Sequence, residues 1–478
     1  MDYEVVIGLE THVQLKTKSK MWCACANAFG DEPNTHVCPV CLGMPGVLPV
    51  ANEEALRLTV LTGLLLHCQI PPNARFDRKN YFYPDMAKNY QITQYDRPSA
   101  RDGYVDFEFN GGISRVRITR AHLEEDVAKN FHFERNSGVD FNRAGVPLLE
   151  IVSEPDLTSA VHAYEFLNAL KDILIHGGVS DCDMEKGMVR CDVNVSVRPN
   201  GGKELGAKIE IKNMNSFSGV RRALEHEIPR QIQVLKSGGR LVQSTRRWND
   251  AAGVTEEMRT KEHAHDYRYF PEPDLMPFEP TEKWLNEISS RAVELPLDRK
   301  RRFMSDYQLP AGDAEVFKND VPLGNYFEPI AKQSKNPKAF ANWIINNLRA
   351  KLSSSGLTGS RGLNELKFQP EAMLELANLV DAKTISSSAA QQVFTEMFDT
   401  GKSPAAIVQE KGLAQVSDRA SIEKLCDEAI AANPNSAADY RNGKAAALNF
   451  LKGHVMKLSK GKANPGLIGE ILEQKLRS

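Results

Sequence analysis

The chain has 478 residues, a formal net charge of -2, and 26% charged and 41% hydrophobic residues. This length suggests roughly two to four domains, and the composition excludes a collagen-like, disordered or disulfide-scaffold chain. The near-neutral charge excludes global steering toward nucleic acid, so an RNA or DNA partner needs a local basic patch.

The first stretch, "MDYEVVIGLE", has early acids and no basic segment leading into an apolar one, so no signal peptide is expected. The longest apolar runs, such as "LTVLTGLLL", fall short of a membrane span. A cytoplasmic location with reduced cysteines is therefore expected. Within "VIGLETHVQL", Ile7, Leu9, Val13 and Leu15 alternate with Glu10, His12 and Gln14. Successive side chains of a strand point to opposite faces, so Glu10 and His12 share one.

Next come Cys23 and Cys25, one residue apart, and Cys38 and Cys41, two residues apart. Reduced thiols at this spacing fit a tetrahedral Zn²⁺ site. Sulfur would take all four positions and leave none for water or substrate, which predicts a structural clip. Cys68, Cys182, Cys191 and Cys426 are scattered and read as core thiols.

Further on, "RAHLEEDVAKN" groups Glu124, Glu125 and Asp126 beside His122, and "PLLEIVSEPD" sets Glu150 in a largely apolar strand. The stretch "TSAVHAYEFLNALKDILIHGG" has helical spacing and a Gly-Gly stop. "MVRCDVNVSVRP" alternates Val189, Cys191, Val193, Val195 and Val197 with Arg190, Asp192, Asn194, Ser196 and Arg198. In "AKIEIKN", Glu210 sits between Lys208 and Lys212. Residues 1–293 thus predict an α+β domain with a large, mostly antiparallel sheet.

Each polar strand face, taken alone, fits a solvated exterior. Together the strands carry more carboxylates than strand exteriors favour, and neighbouring acids repel unless cations neutralise them. Oxygen ligands with one imidazole suit Mg²⁺ or Mn²⁺. Such ions bind nucleotide phosphates and stabilise charge in phosphoryl transfer. Arg190, Lys79 and Lys212 would add positive charge toward phosphate. The pattern alone leaves a metal–phosphate site and a solvated face both open. GxxxxGK[ST], GxGxxG and HExxH are all missing from the sequence, so an ATP site here is not a P-loop.

From "ELPLDRKRRF" onward the pattern is helical, predicting a helical domain over 294–405 and a small helical tail domain over 406–478. "SSSGLTGSRGLN" reads as a loop between helices. The tail carries Arg441, Lys444, Lys452, Lys457, Lys460 and Lys462, with no acid between Arg441 and Gly469. Such a run is either a solvated helix face with snorkelling lysines or a phosphate-contacting surface of salt-dependent affinity.

Several stretches carry a closer resemblance. They are "VIGLETHVQL", "DRKNYFYPDMAKNYQITQYDRP", "HLEEDVAKN", "NRAGVPLLEIVSEPDL", "EKGMVRCDVNVSVRP", "EIKNMNSFSGVRRALEHE", "HDYRYFPEPDL" and "DYRNGKAAALNFLKGHVMKLSKGKANP". In this order they resemble the B-subunit family of the aspartyl/glutamyl-tRNA amidotransferases, over essentially the whole chain. The resemblance implies that residues 1–293 are a catalytic cradle and that the tail grips the outer corner of a tRNA. It implies use of ATP and Mg²⁺ to phosphorylate the side-chain carboxylate of Glu-tRNA(Gln) or Asp-tRNA(Asn), after which ammonia displaces phosphate. It also implies a heterotrimer with an amidase (glutaminase) subunit and a small third subunit, since neither an amidase Ser-Ser-Lys signature nor a cysteine glutaminase motif is found in this chain.

Carried onto this sequence, the resemblance makes Glu10, His12, Glu125 and Glu150 the leading metal-binding and catalytic candidates, with Arg190. Glu124, Glu185 and Glu210 follow as supporting or second-metal ligands or as part of an ammonia path. Asp192, Asn194 and Lys212 line the same pocket, and Lys79 is a phosphate contact. Tyr81, Phe82 and Tyr83 read as core or adenine-wall residues. Family members differ at the four cysteines, which favours a structural role for Zn²⁺. Two departures, Val127-Ala128 before Lys129 and Ala87 before Lys88, affect loop geometry beside these residues. The competing readings are a non-enzymatic zinc-knuckle RNA-binding protein and a stand-alone carboxylate–amine ligase. The first retains RNA affinity when Glu10 or Glu125 is changed, and the second works on free ammonia alone.

Overall fold

The computed structural model describes residues 3–202, 204–260, 266–357, 359–415, 418–459 and 462–477. The chain divides into two compact units, Met1–Asp298 and Arg299–Ser478. No helix among the described residues is long and apolar enough to cross a membrane.

The first unit is α+β. Its strands are β1 (Tyr3–Gln14), β2 (Asp77–Asn80), β3 (Tyr90–Thr93), β4 (Ala100–Phe109), β5 (Gly112–Glu125), β6 (Lys129–His132), β7 (Ser137–Asp140), β8 (Pro147–Ser153), β9 (Val189–Pro199), β10 (Ile209–Lys212), β11 (Ser244–Asn249), β12 (Val254–Thr260) and β13 (Phe270–Pro271). Eight of them form one sheet in the order β12-β11-β10-β9-β1-β8-β5-β4. Its pairings are antiparallel except β10 with β11. A three-stranded sheet, β13-β2-β3, and a two-stranded one, β6-β7, complete the unit.

The period-2 pattern of β1 and β9 decides which face is buried. Ile7, Leu9, Val13, Val189, Cys191, Val193 and Val195 are all enclosed in one core. Helices α1 (Glu53–Leu65), α2 (Ala160–His176) and α3 (Phe217–Lys236) cover that apolar face. Each helix starts where a side chain accepts from its first free amides: Asn52 for α1, Ser159 for α2 and Ser216 for α3. With three helices on one face, the charged residues of β1, β5, β8, β9 and β10 share the other.

The second unit is helical. One core cluster runs from Phe303 to Val408 and another from Ile422 to Leu476. Within "SSSGLTGSRGLN" the structure has a short helix, Gly359–Asn364, where the composition predicted only loop. Its Arg361–Glu365 pair, at 2.8 Å, is an i,i+4 contact that supports a helical turn despite the glycines.

Candidate functional site

The register of the large sheet brings distant residues into rows. His12 on β1 lies opposite Glu150 on β8 and Arg190 on β9. His122 on β5 lies opposite Glu150 from the other side. Glu10 faces Asp192, and Asn194 faces Glu210.

Two donor groups result. In the first, His12 Nε2 stands 3.4 Å from Glu150 and 3.8 Å from Glu124, and His122 Nε2 stands at the same two distances. His12, Glu124 and Glu150 each offer a ligand atom within 4.8 Å of the others. Thr93 donates to Glu124 at 3.1 Å and fixes its rotamer. Burial opposes protonation of His12, but the hydrogen bond and charge of Glu150, with Glu124 behind it, raise its pKa overall. Burial would likewise lift Glu150, yet His122, His12 and Arg120 hold it well below the usual carboxylate range.

In the second group, Glu10, Asp192 and Glu210 also converge within 4.8 Å. Asn194 donates to Glu10 at 2.8 Å, and Thr245 donates to Glu210 at 2.9 Å. Lys212 sits 2.5 Å from Asp192 and 3.1 Å from Glu210. Burial works against its ammonium, but these two acids outweigh it and raise its pKa.

Both groups fit a divalent cation. Their donors are hard oxygens with at most one imidazole per group. Two buried atoms on the same face, Asn194 Oδ1 and His122 Nδ1, have no hydrogen-bond partner in the structure. Buried polar atoms are rarely left so.

The remaining predicted residues fall around these groups. Glu125 joins neither. Lys88 Nζ reaches both of its carboxylate oxygens at 2.6 Å, and the Ile92 amide donates to it at 3.0 Å. Arg190 pairs with Asp126 at 2.8 Å, and Gln14 donates to the same acid at 2.9 Å. Lys79 lies 5.0 Å over the Tyr267 ring. Glu185 is exposed on a turn and lines, with Arg190, a separate cavity of about 790 Å³ beyond the end of β1. Tyr83 and Phe82 are exposed and Tyr81 is partly buried.

Sequence reasoning gave no role to His122, Lys88 or Asp126. His122 and Glu124 are two apart on one strand, so alternation contained that signal. Lys88 comes from a loop between β2 and β3, and nothing local points it at Glu125.

The four cysteines form a third group, with Sγ atoms within 4.8 Å of one another. The Cys38 amide donates to Cys41 Sγ at 3.1 Å. A hydrogen bond from Cys23, then the Cys38 amide and nearby Lys20, pull Cys41 down to about 4 against its burial. Burial and Cys38 push Cys25 up to about 11. The set suits a soft or borderline cation such as Zn²⁺.

In the tail, Arg441, Lys444 and Lys457 are exposed, while Lys452 and Lys462 are half-buried. Lys444 pairs with Asp439 at 2.9 Å. Lys460 lies outside the described residues.

A sheet face with two adjoining carboxylate groups is one that could hold divalent cations. Residues 5–286 match the family described as the GatB/GatE catalytic domain, and residues 325–476 match the GatB domain. A relative from Caldicellulosiruptor saccharolyticus, named as the B subunit of aspartyl/glutamyl-tRNA(Asn/Gln) amidotransferase, is 53% identical over 478 residues, spanning 100% of this chain and 99% of its own. Relatives with the same name from Thermoanaerobacter pseudethanolicus and Methylacidiphilum infernorum are each 50% identical, spanning 100% of this chain and 100% and 99% of their own. The chain belongs to the GatB family and is an amidotransferase subunit.

Proposed function

We propose that this chain is the carboxylate-activating subunit of a tRNA-dependent amidotransferase. It uses ATP to phosphorylate the side-chain carboxylate of Glu-tRNA(Gln) or Asp-tRNA(Asn), and ammonia then displaces phosphate to give Gln-tRNA(Gln) or Asn-tRNA(Asn). A carboxylate is a poor electrophile at neutral pH, and phosphorylation converts one oxygen into a leaving group. The names its relatives carry support the substrate class. The observation that carries the chemistry is the pair of donor groups on one sheet face.

In this reading His12, Glu124 and Glu150 hold one divalent cation, and Glu10, Asp192 and Glu210 hold a second. Mg²⁺ so bound supplies positive charge to the phosphates of ATP and to the transferring group. His12 gives up its proton to serve as a ligand, so loading the face releases protons. Thr93, Thr245 and Asn194 keep the acids in one rotamer. Arg190, Lys79 and Lys212 attract and orient phosphate. Zn²⁺ on Cys23, Cys25, Cys38 and Cys41 clips the loop that follows β1.

Ammonia comes from a glutaminase subunit, and a small third subunit joins the assembly. We assign residues 1–293 to the catalytic cradle, 294–405 to a helical domain and 406–478 to a tRNA-binding tail.

The test is Glu150→Gln in the assembled enzyme. This change removes the nearer of the two carboxylates that both imidazoles share. Acyl-phosphate formation is expected to fall by at least about 100-fold, with tRNA retention on filters unchanged. Transamidation at the unsubstituted rate would remove the donor face from the mechanism.

A further inference from the structure

Next to the cation face is a continuous run of tyrosine rings. Tyr95 and Tyr269 are stacked, with centroids 4.1 Å apart and planes at 14°. Tyr267 meets Tyr269 edge-on at 6.1 Å, and Tyr81 meets Tyr267 edge-on at 6.5 Å. The four rings come from two stretches of chain far apart in sequence. Tyr81 opens the loop between β2 and β3, Tyr95 follows β3, and Tyr267 and Tyr269 precede β13.

The backbone holds these stretches together. Asn80 N donates to the Tyr267 carbonyl at 2.9 Å, and its side chain donates to the Arg268 carbonyl at 2.7 Å. The Tyr95 amide donates to Asp77 at 3.1 Å. Between the two tyrosines, Arg268 has φ +46, a left-handed backbone that non-glycine residues rarely adopt. Such strain persists where the surroundings over-determine a conformation, and it concentrates at ligand sites.

The run is not core packing. Tyr95 is 53% exposed although it is half of the stacked pair. It is also close to the donor face. Thr93, two residues before Tyr95, carries the hydroxyl that holds Glu124. Burial, then the charge of Glu124, raise the pKa of the Tyr269 phenol, and burial, Asp85 and Glu124 do the same for Tyr81. On the other flank, Lys79 brings a cation over Tyr267. An exposed stacked ring, a neighbouring lysine and a cation face together suit a flat base attached to phosphate.

We propose that Tyr95 and Tyr269, backed by Tyr267, form a stacking platform for a purine base whose phosphate-bearing end lies toward the cation face. The inference rests on the function proposed above, which supplies two such bases: the adenine of ATP and the terminal adenine of the tRNA acceptor end. Stacking is tolerant of the sugar and phosphates attached, so both present the same chemistry to the rings.

The experiment measures ATP affinity, titrated with Mg²⁺, and the KM for aminoacyl-tRNA in the assembled enzyme carrying Tyr95→Ala, Tyr95→Phe or Tyr269→Leu. Thermal melting identifies which variants fold. Tyr95 lies on an exposed bend, so its variants carry the test if Tyr269→Leu does not fold. Tyr95→Ala is expected to weaken one constant about tenfold, and Tyr95→Phe to stay within about twofold of the unsubstituted enzyme. Loss confined to ATP assigns the platform to the nucleotide, and loss confined to the KM assigns it to the tRNA end. The proposal is overturned if folded Tyr95→Ala moves neither constant, or if Tyr95→Phe loses as much as Tyr95→Ala. Titration of the unsubstituted enzyme tests the function separately. No binding there ends the function, whereas normal binding with no loss in the variants ends the platform alone.

Discussion

Asp126 is buried, yet its neighbours favour its charged form. Burial alone would raise its pKa, but Arg190 and Arg143, with the Gln14 side chain, hold it below the ordinary value of 3.8. A depressed carboxyl contributes stability that is present above its unfolded pKa and is lost as pH falls through the folded one. Between about pH 6 and about pH 3, the melting temperature of the unsubstituted chain is therefore expected to drop more steeply below about pH 4 than that of Asp126→Asn. Near neutral pH the Asn variant is expected to be less stable by about 2 kcal/mol. That is less than a fully buried pair would lose, because solvent reaches the Arg190 guanidinium. Chemical denaturation at the two pH values checks both expectations. The neighbouring acids show how little of this is local. Glu124 turns to the imidazoles and Glu125 to Lys88. A strand makes successive residues diverge, so the adjacent Glu124 and Glu125 meet different partners.

Among the elements, the loop after β1 is held by more than its cysteines. Asn34 bonds to the β6–β7 hairpin through Asp140, Val139 and Phe141. The buried Lys20 donates to the carbonyls of His36 and Phe141 at 2.7 and 3.1 Å. One zinc per chain is expected by elemental analysis, and none in the double variant Cys38→Ser, Cys41→Ser. Amides of residues 23–43 should then exchange at least about tenfold faster. Those of β1 should not change, because its ladder on both sides is independent of the metal. Zinc loss with unchanged exchange in the loop would show that the hydrogen bonds alone hold it. The strands themselves were legible, since alternation in β1 and β9 is a property of consecutive residues. The pairing of Glu210 with Asn194, or of His122 with Glu150, was not, because register is set between strands distant in the chain.

For the whole molecule, the question is what the tail contributes. Helix Ala446–Leu458 buries Leu448, Leu451 and Val455 on one stripe, while Lys457 remains exposed, as does Lys444 just before it. Removal of residues from about 410 onward, which leaves Ile407 and Val408 in the preceding core, is expected to raise the KM for aminoacyl-tRNA at least about tenfold while ATP turnover changes less than about threefold. The unsubstituted enzyme should lose tRNA affinity steeply between low and physiological salt, and the truncated one should show a shallower slope. Equal slopes would take the tail out of RNA contact. By itself the sequence determined the α+β start and helical remainder, the four-thiol spacing, the polar strand faces and the family. The family rests on the resemblance of whole motifs, and the others follow from spacing along the chain. The tertiary structure decided which acids converge, that Lys88 occupies Glu125, and that tyrosines from two distant segments stack beside the face. Those outcomes depend on strand register and loop closure, where the deciding hydrogen bonds join residues that no local pattern connects.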